Sequence, residues 1–174
     1  MKEIHIFTDG ATPNNQNKSG NRRGGVGVFF GDDDTRNISF GMIENEKQKV
    51  TNNVCELTAC IRALEKIMST EKIIGKQIVI YTDSMYIVNT IANWASGWEK
   101  NGWKKDGGKI SNLDLVKKLY YYSINFGIIY RHVDAHTTEP DDKESKEWKL
   151  WYGNMMADKL AVDGAKKVSF KKSD

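Results

Sequence analysis

Apolar positions in this chain change period several times, and each change marks an element. Ile4, Ile6 and Thr8 alternate with His5, Phe7 and Asp9, the two-residue repeat of a strand over Lys2–Asp9. Gly25–Phe30 and Arg36–Met42 read as two more strands, on either side of the turn-forming Asp32, Asp33 and Asp34. Together the three predict an antiparallel meander. From Asn53 the period lengthens: Leu57, Cys60, Ile61, Leu64, Ile67 and Met68 recur at three and four, an amphipathic helix of about four turns. Gln77–Thr82 is a continuous apolar run, as in a strand buried on both faces. Helices are predicted over Ser84–Trp94, over Ile110–Asn125 with Ser111 or Asn112 as cap, and over Tyr152–Ala165. A last strand is predicted over Gly127–Val133. The order β-β-β-α-β-α-α-β-α predicts an α/β domain, half antiparallel hairpin and half parallel crossover.

Two of those strands finish on the same dipeptide. FTDG ends the first at Asp9, and YTDS ends the fourth at Asp83. A right-handed crossover through the helix at 53–68 sets these strands side by side and parallel. Both carboxylates then arrive at one edge of the sheet, where open sheets gather ligands. Glu56 lies in the first turn of the crossover helix, and Asp158 lies on the last helix among Ala157, Leu160 and Ala161. Carboxylates that converge without basic partners repel one another unless a cation sits between them. An all-oxygen set suits Mg²⁺ or Mn²⁺. Each acid also has an ordinary role: Glu56 in a capping box with Asn53, Asp83 capping the helix at Ser84, and Asp9 with Gly10 in a turn. His132 and His136 have H-x-x-x-H spacing, but no cysteine or third histidine completes a zinc set. His5, alternating with core positions, reads as structural.

The 174 residues, 39% hydrophobic and 28% charged, fit one soluble globular domain. No apolar run of about 18 residues supports a membrane span, and the first residues have no signal-peptide core. A cytoplasmic location is therefore expected, with the nucleus and a virus-infected cell left open, and a monomer is expected as well. Cys55 and Cys60 fall on different faces of one helix and read as reduced core cysteines. The net charge of +3 says little, but its distribution says more. Between Gly97 and Lys118 six lysines are set against three acids, with Trp98 and Trp103 among them, which suits a nucleic-acid backbone. Over 139–147 five acids outweigh two lysines.

The segments FTDGA, GGVGVFF, VTNNVCELTACIRALE, IVIYTDSMYIVN, NWASGWEKNGWKKDGGKISNLDLVKKL, HVDAH and GNMMADKLA, in that order, resemble type 1 ribonuclease H from about Lys2 to Ala165. The resemblance implies a ribonuclease H-like α/β fold. Its five-stranded mixed sheet would be antiparallel through the first three strands and parallel among the first, fourth and fifth. Helices would flank it, and a basic handle would lie at about 94–112. A single domain over 1–166 is implied, with an insert at about 137–152, a basic tail over 167–174, and no hybrid-binding domain ahead of the first strand.

The implied activity is hydrolysis of the RNA strand of RNA–DNA hybrids, with little sequence readout, leaving 5′-phosphate and 3′-hydroxyl ends. Two Mg²⁺ ions about 3.5–4 Å apart would act on the phosphodiester, with Mn²⁺ as a substitute. The family's metal-binding carboxylates map onto Asp9, Glu56, Asp83 and Asp158. Asp9 would bridge both ions, Glu56 and Asp83 would hold one side, and Asp158 the other. The family's mobile histidine maps onto His136, which would shuttle a proton or help product leave. Hybrid contacts map onto Gly10 and Asn52 near the RNA, Thr51 and Asn53 near a phosphate, and Asn21 in the first loop. Trp98, Trp103 and Asn112 would line the groove for the DNA strand, and Asn154 would support Asp158. Packing inside the handle is an equal reading of Trp103, and a helix cap an equal reading of Asn154.

The chain departs from the family pattern in places. Met85 stands where glutamine is common, and 21 residues separate His136 from Asp158, where about ten are usual. That insert carries Trp148 and Trp151 and could extend the last helix, pack over the handle side, or gate the site. Two other readings compete: another metal nuclease of the same fold, and a hybrid-binding module without catalysis.

Overall fold

The alternating N-terminal segment forms β1 (Lys2–Ala11), followed by β2 (Arg23–Phe29), β3 (Ile38–Ile43), α1 (Asn52–Thr70) and β4 (Lys76–Thr82). The computed structural model describes residues 1–13 and 22–168, so Asn21 and the tail beyond 168 lie outside the described residues. One sheet runs in the order β3-β2-β1-β4-β5, with β5 spanning Ile129–His132. β1 pairs antiparallel with β2 and parallel with β4, and β4 pairs parallel with β5. The mixed sheet expected from the sequence is therefore the one observed.

Side-chain alternation divides the core into two layers. Ile6, Val26, Ile78 and Ile80 face α1 and α4 (Leu113–Phe126), packing with Leu57, Leu64, Val116 and Leu119. Phe7, Phe29, Val79 and Tyr81 face the other way, toward α5 (Lys146–Lys166). On that face the Phe7 and Tyr81 rings stack, with centroids 5.0 Å apart.

Several boundaries differ from the sequence expectation. The third strand starts at Ile38 because Arg36 closes the preceding turn, bonding Asp34 at 2.7 Å and lying over the Phe30 ring. The helix expected over Ser84–Trp94 is α2 (Met85–Ile87), then a π-helical stretch (Val88–Trp94), then α3 (Ala95–Lys100). Gly127, with φ +60°, ends α4 and delays β5 to Ile129. Asn112 does sit at the start of α4, but in the left-handed conformation (φ +57°) and without a capping side-chain bond. α5 begins at Lys146 rather than Tyr152, capped by Ser145, so the insert lengthens the last helix.

Candidate active site

Thr8 and Thr82 are parallel partners across β1 and β4, both fully buried. Asp9 follows one, and Asp83 the other. Because strand side chains alternate, Asp9 and Asp83 continue the Phe7–Tyr81 row, on the face that α5 covers. The ordinary roles fall away in turn. Asp9 and Gly10 lie within β1, opposite Gly27 and Val26, and form no turn. Ser84, not Asp83, caps the next helix, accepting from Ile87 N at 3.2 Å. Thr51, not Asn53, caps α1, accepting from Val54 N at 3.2 Å, so Glu56 has no capping partner to serve.

Two glycines let the helices close on this edge. A Cβ at Gly10 would lie 2.7 Å from Glu56 N, so only glycine admits the start of α1 there. A Cβ at Gly27 would lie 2.2 Å from the Ala157 carbonyl oxygen. Gly27 thus lets α5 approach β2 beside Asp9 and brings Asp158, the next residue, to the same rim.

One carboxylate oxygen from each of Asp9, Glu56 and Asp83 can be chosen so that all lie within 4.8 Å of one another. Asp9 is 4% exposed and Glu56 2%. Glu56 and Asp158 both lie close enough to the Asp9 carboxyl to bear on it. Burial first, then the Glu56 and Asp83 charges, raises the Asp9 carboxyl far above the usual range. Burial raises Glu56 as well, while its bonds from Asp9 and the Gly10 N–H pull it back. Asp83 is raised by burial too, and a hydrogen bond from Asn154 holds it down. Among the described residues, none of these acids forms an ion pair with lysine or arginine.

This donor set fits a divalent cation. Around an octahedral Mg²⁺, ligand oxygens stand about 3 Å apart when adjacent and about 4 Å apart when opposite, so the three oxygens need to close in by about 2 Å at most to share one. Glu56 Oε2 and Asn154 Oδ1 are buried and accept no hydrogen bond within the chain. Buried oxygens without donors are where a cation or its water is due.

A cavity of about 360 Å³ opens on the cluster, between Asp83, Asp158, Asn154, His136 and Trp151. His136 is on its wall with φ +54°, exposed, and its charge bears on Asp83. Asn154 lies inside α5, where it caps nothing. Asp134 and Met155 also line this cavity and were not singled out from the sequence. Only the spacing of Asp134 before His136 could have pointed to it.

Around the rim, Asn52 is exposed, Gly10 buried and Asn53 half-buried at the first turn of α1. Trp98 and Trp103 are half-buried and pack against the core beside α4. The Trp103 Nε1 donates to the Tyr121 hydroxyl at 3.2 Å, and its ring meets Tyr120 and Tyr121 edge-on. Lys100, Lys104, Lys105 and Lys109 around them are exposed.

The sequence model of the RNase H family matches residues 1–166. The chain belongs to the RNase H family. It is 33% identical to a ribonuclease H of Ruthia magnifica subsp. Calyptogena magnifica, over 97% of this chain and 99% of that one. Against a probable ribonuclease H of Acanthamoeba polyphaga mimivirus it is 33% identical, over 84% of this chain and 60% of that protein. Human ribonuclease H1 is 32% identical over 94% of this chain, which spans 50% of the human protein. Several relatives of this RNase H family member are thus considerably longer than it is. Among solved structures, LC9-RNase H1, a type 1 RNase H with the type 2 active-site motif, superposes with a TM-score of 0.71 at 24% identity, covering 97% of this chain and 74% of that one. The RNase H domain of PFV gives 0.64 at 20% identity, covering 95% of each chain. These two likenesses speak for the fold alone. No helix among the described residues is long and apolar enough to cross a membrane.

Proposed function

We propose that this chain is an endonuclease that hydrolyses the RNA strand of RNA–DNA hybrids, leaving 5′-phosphate and 3′-hydroxyl ends. The observation that carries this is the set of Asp9 and Glu56, buried, and Asp83, half-buried, at the sheet edge without a basic partner, with Asp158 close enough to bear on Asp9. Family membership gives that set its chemistry, and the LC11-RNase H1 structure solved with an RNA/DNA hybrid, similar in fold at a TM-score of 0.55, is consistent with this substrate.

Asp9, Glu56, Asp83 and Asp158 would hold two Mg²⁺ ions, with Mn²⁺ able to substitute. Bound divalent cations supply Lewis acidity toward the phosphodiester and the attacking water. Asp9, touched by both Glu56 and Asp158, is the group placed to be shared between the two positions. Asn154 orients Asp83 from α5. His136, at the cavity mouth, would carry a proton or help product leave.

Recognition of the hybrid would rest on shape and 2′-hydroxyls rather than base identity. Gly10 and Asn52 would meet the RNA, Thr51 and Asn53 a phosphate, and Trp98, Trp103 and Asn112 the DNA strand. Asn21 would add a contact from the first loop. Residues 1–166 would act as one domain and one copy, with the handle at 94–112 and a basic tail at 167–174.

The test is a cleavage assay with the purified chain on hybrid, duplex DNA and single-stranded RNA in Mg²⁺, with EDTA as control. Mg²⁺-dependent cutting confined to the hybrid is the expected result. Binding of hybrid without cutting, in Mg²⁺ or Mn²⁺, would favour a binding module instead.

A further inference from the structure

Trp148 and Trp151 lie three residues apart at the start of α5, and each spends its indole N–H on the segment after His136. Trp151 Nε1 donates to the Thr137 carbonyl at 3.0 Å, and Trp148 Nε1 donates to the Glu139 carboxylate at 2.9 Å. The Trp148 ring stacks on Tyr152, with centroids 4.8 Å apart and planes within 9°. Tyr152 in turn donates its hydroxyl to Asp32 at 2.5 Å and meets Phe29 of β2 edge-on. The loop is thus tied to the helix, and the helix to the sheet. Trp151 also forms a wall of the cavity that holds His136, Asp83 and Asp158. His136 itself has φ +54°, a left-handed conformation that is unfavourable for a residue with a Cβ, so neighbouring contacts must hold it there.

We propose that Trp151 is a positioning residue for His136: its indole N–H, seconded by Trp148, clamps residues 137–139 and keeps the imidazole at the mouth of the carboxylate cluster. A loose loop would spend part of its time away from the cluster. The 21 residues between His136 and Asp158 would then supply the helix turns on which the two indoles stand. Only the kinetic arm of the test rests on the hydrolase reading.

Trp151→Phe keeps the ring and removes the donor. In the metal-free full chain, backbone order parameters over 136–139 should fall from about 0.85 to about 0.6 or lower, with the melting temperature within about 2 °C of the parent. In cleavage, kcat should fall about fivefold, the effect of one lost neutral hydrogen bond, at unchanged KM. In a His136→Ala background the same substitution should add nothing, because Trp151 acts through that imidazole. Unchanged order parameters would overturn the clamp. So would an equal loss of kcat with and without His136, which would make Trp151 a packing or substrate contact. If the parent protein leaves hybrid uncut, the hydrolase reading fails, and the order parameters still decide the clamp.

Discussion

Asn154, on α5, lines one cavity with Asp83 at the end of β4 and holds that carboxyl down against burial, while its own Oδ1 accepts nothing within the chain. A helix formed from the far end of the chain thus orients a carboxylate set by the sheet. Asn154→Ala should lower cleavage roughly 10- to 100-fold, the usual effect of removing a group that orients a ligand. Mg²⁺ titration of the variant should show weaker binding as well. A variant with parental Mg²⁺ affinity would deny Asn154 this role.

Asp9→Asn should abolish cleavage, by about 10²- to 10³-fold or more. The same change should raise the stability of the metal-free protein, because asparagine is spared the proton uptake on folding that burial and two neighbouring acids force on the Asp9 carboxyl. The gain should be on the order of 1–3 kcal/mol, one to two pKa units of relieved repulsion. Urea unfolding in EDTA measures it. An active D9N protein would overturn the site.

The pH dependence of that stability has a definite sign. Asp9, Glu56 and Asp83 are all raised in the fold. Their contribution is fully present below the unfolded carboxylate range, near about pH 4, and is lost as pH rises through the folded values. Glu3, Asp34 and Glu71 are shifted the other way, but they are already ionised above about pH 5 in both states. In EDTA, the melting temperature should therefore fall between about pH 5.5 and 8.5, and Mg²⁺ should flatten the slope. The D9N variant should show a shallower slope than the parent; equal slopes in EDTA would assign the effect elsewhere.

Gly27→Ala would drive a methyl group to 2.2 Å from the Ala157 carbonyl oxygen, while a methyl group on Gly31 would meet nothing within 4 Å. G27A should cost about 2–3 kcal/mol of stability through overpacking and lower cleavage by shifting Asp158. G31A should do neither. Chemical denaturation and kinetics on the pair distinguish close approach from a general intolerance of substitution.

Replacing Lys104, Lys105 and Lys109 together with alanine should weaken hybrid binding. The slope of log affinity against log salt should drop by about 2 to 3, near one for each phosphate no longer neutralised. Trp103→Ala should instead destabilise the fold by about 3 kcal/mol or more, because its ring packs on Tyr120 and Tyr121. An unchanged salt slope in the triple variant would remove the handle from substrate binding.

The approach of Asp9, Glu56 and Asp83 to one another was legible because each sits at a strand end or on a periodic helix, where chain order and handedness leave few arrangements. The meander and the crossover were legible for the same reason. Local backbone conformations were not. Asp33, Trp103, Asn112 and His136 all have positive φ, which no hydrophobic pattern announces in residues other than glycine. The start of α5 was hidden because Lys146–Trp151 buries no residue fully, and beyond it the buried face is Gly153, Asn154, Ala157, Ala161, Gly164 and Ala165, small or polar residues that leave little amphipathic contrast. The second layer of the site, Asp134 and the paired indoles, depends on how the insert folds back, and spacing alone did not determine that.

The π-helical stretch at Val88–Trp94 bears on how this protein could vary. A wider turn winds through a smaller angle per residue than an α-helix does, so it works as a phase shifter for everything attached downstream. Adding or removing a single residue there would swing Trp98 and the neighbouring lysines around the helix axis while leaving the carboxylates untouched, so the proposed grip on hybrid can drift independently of the proposed chemistry.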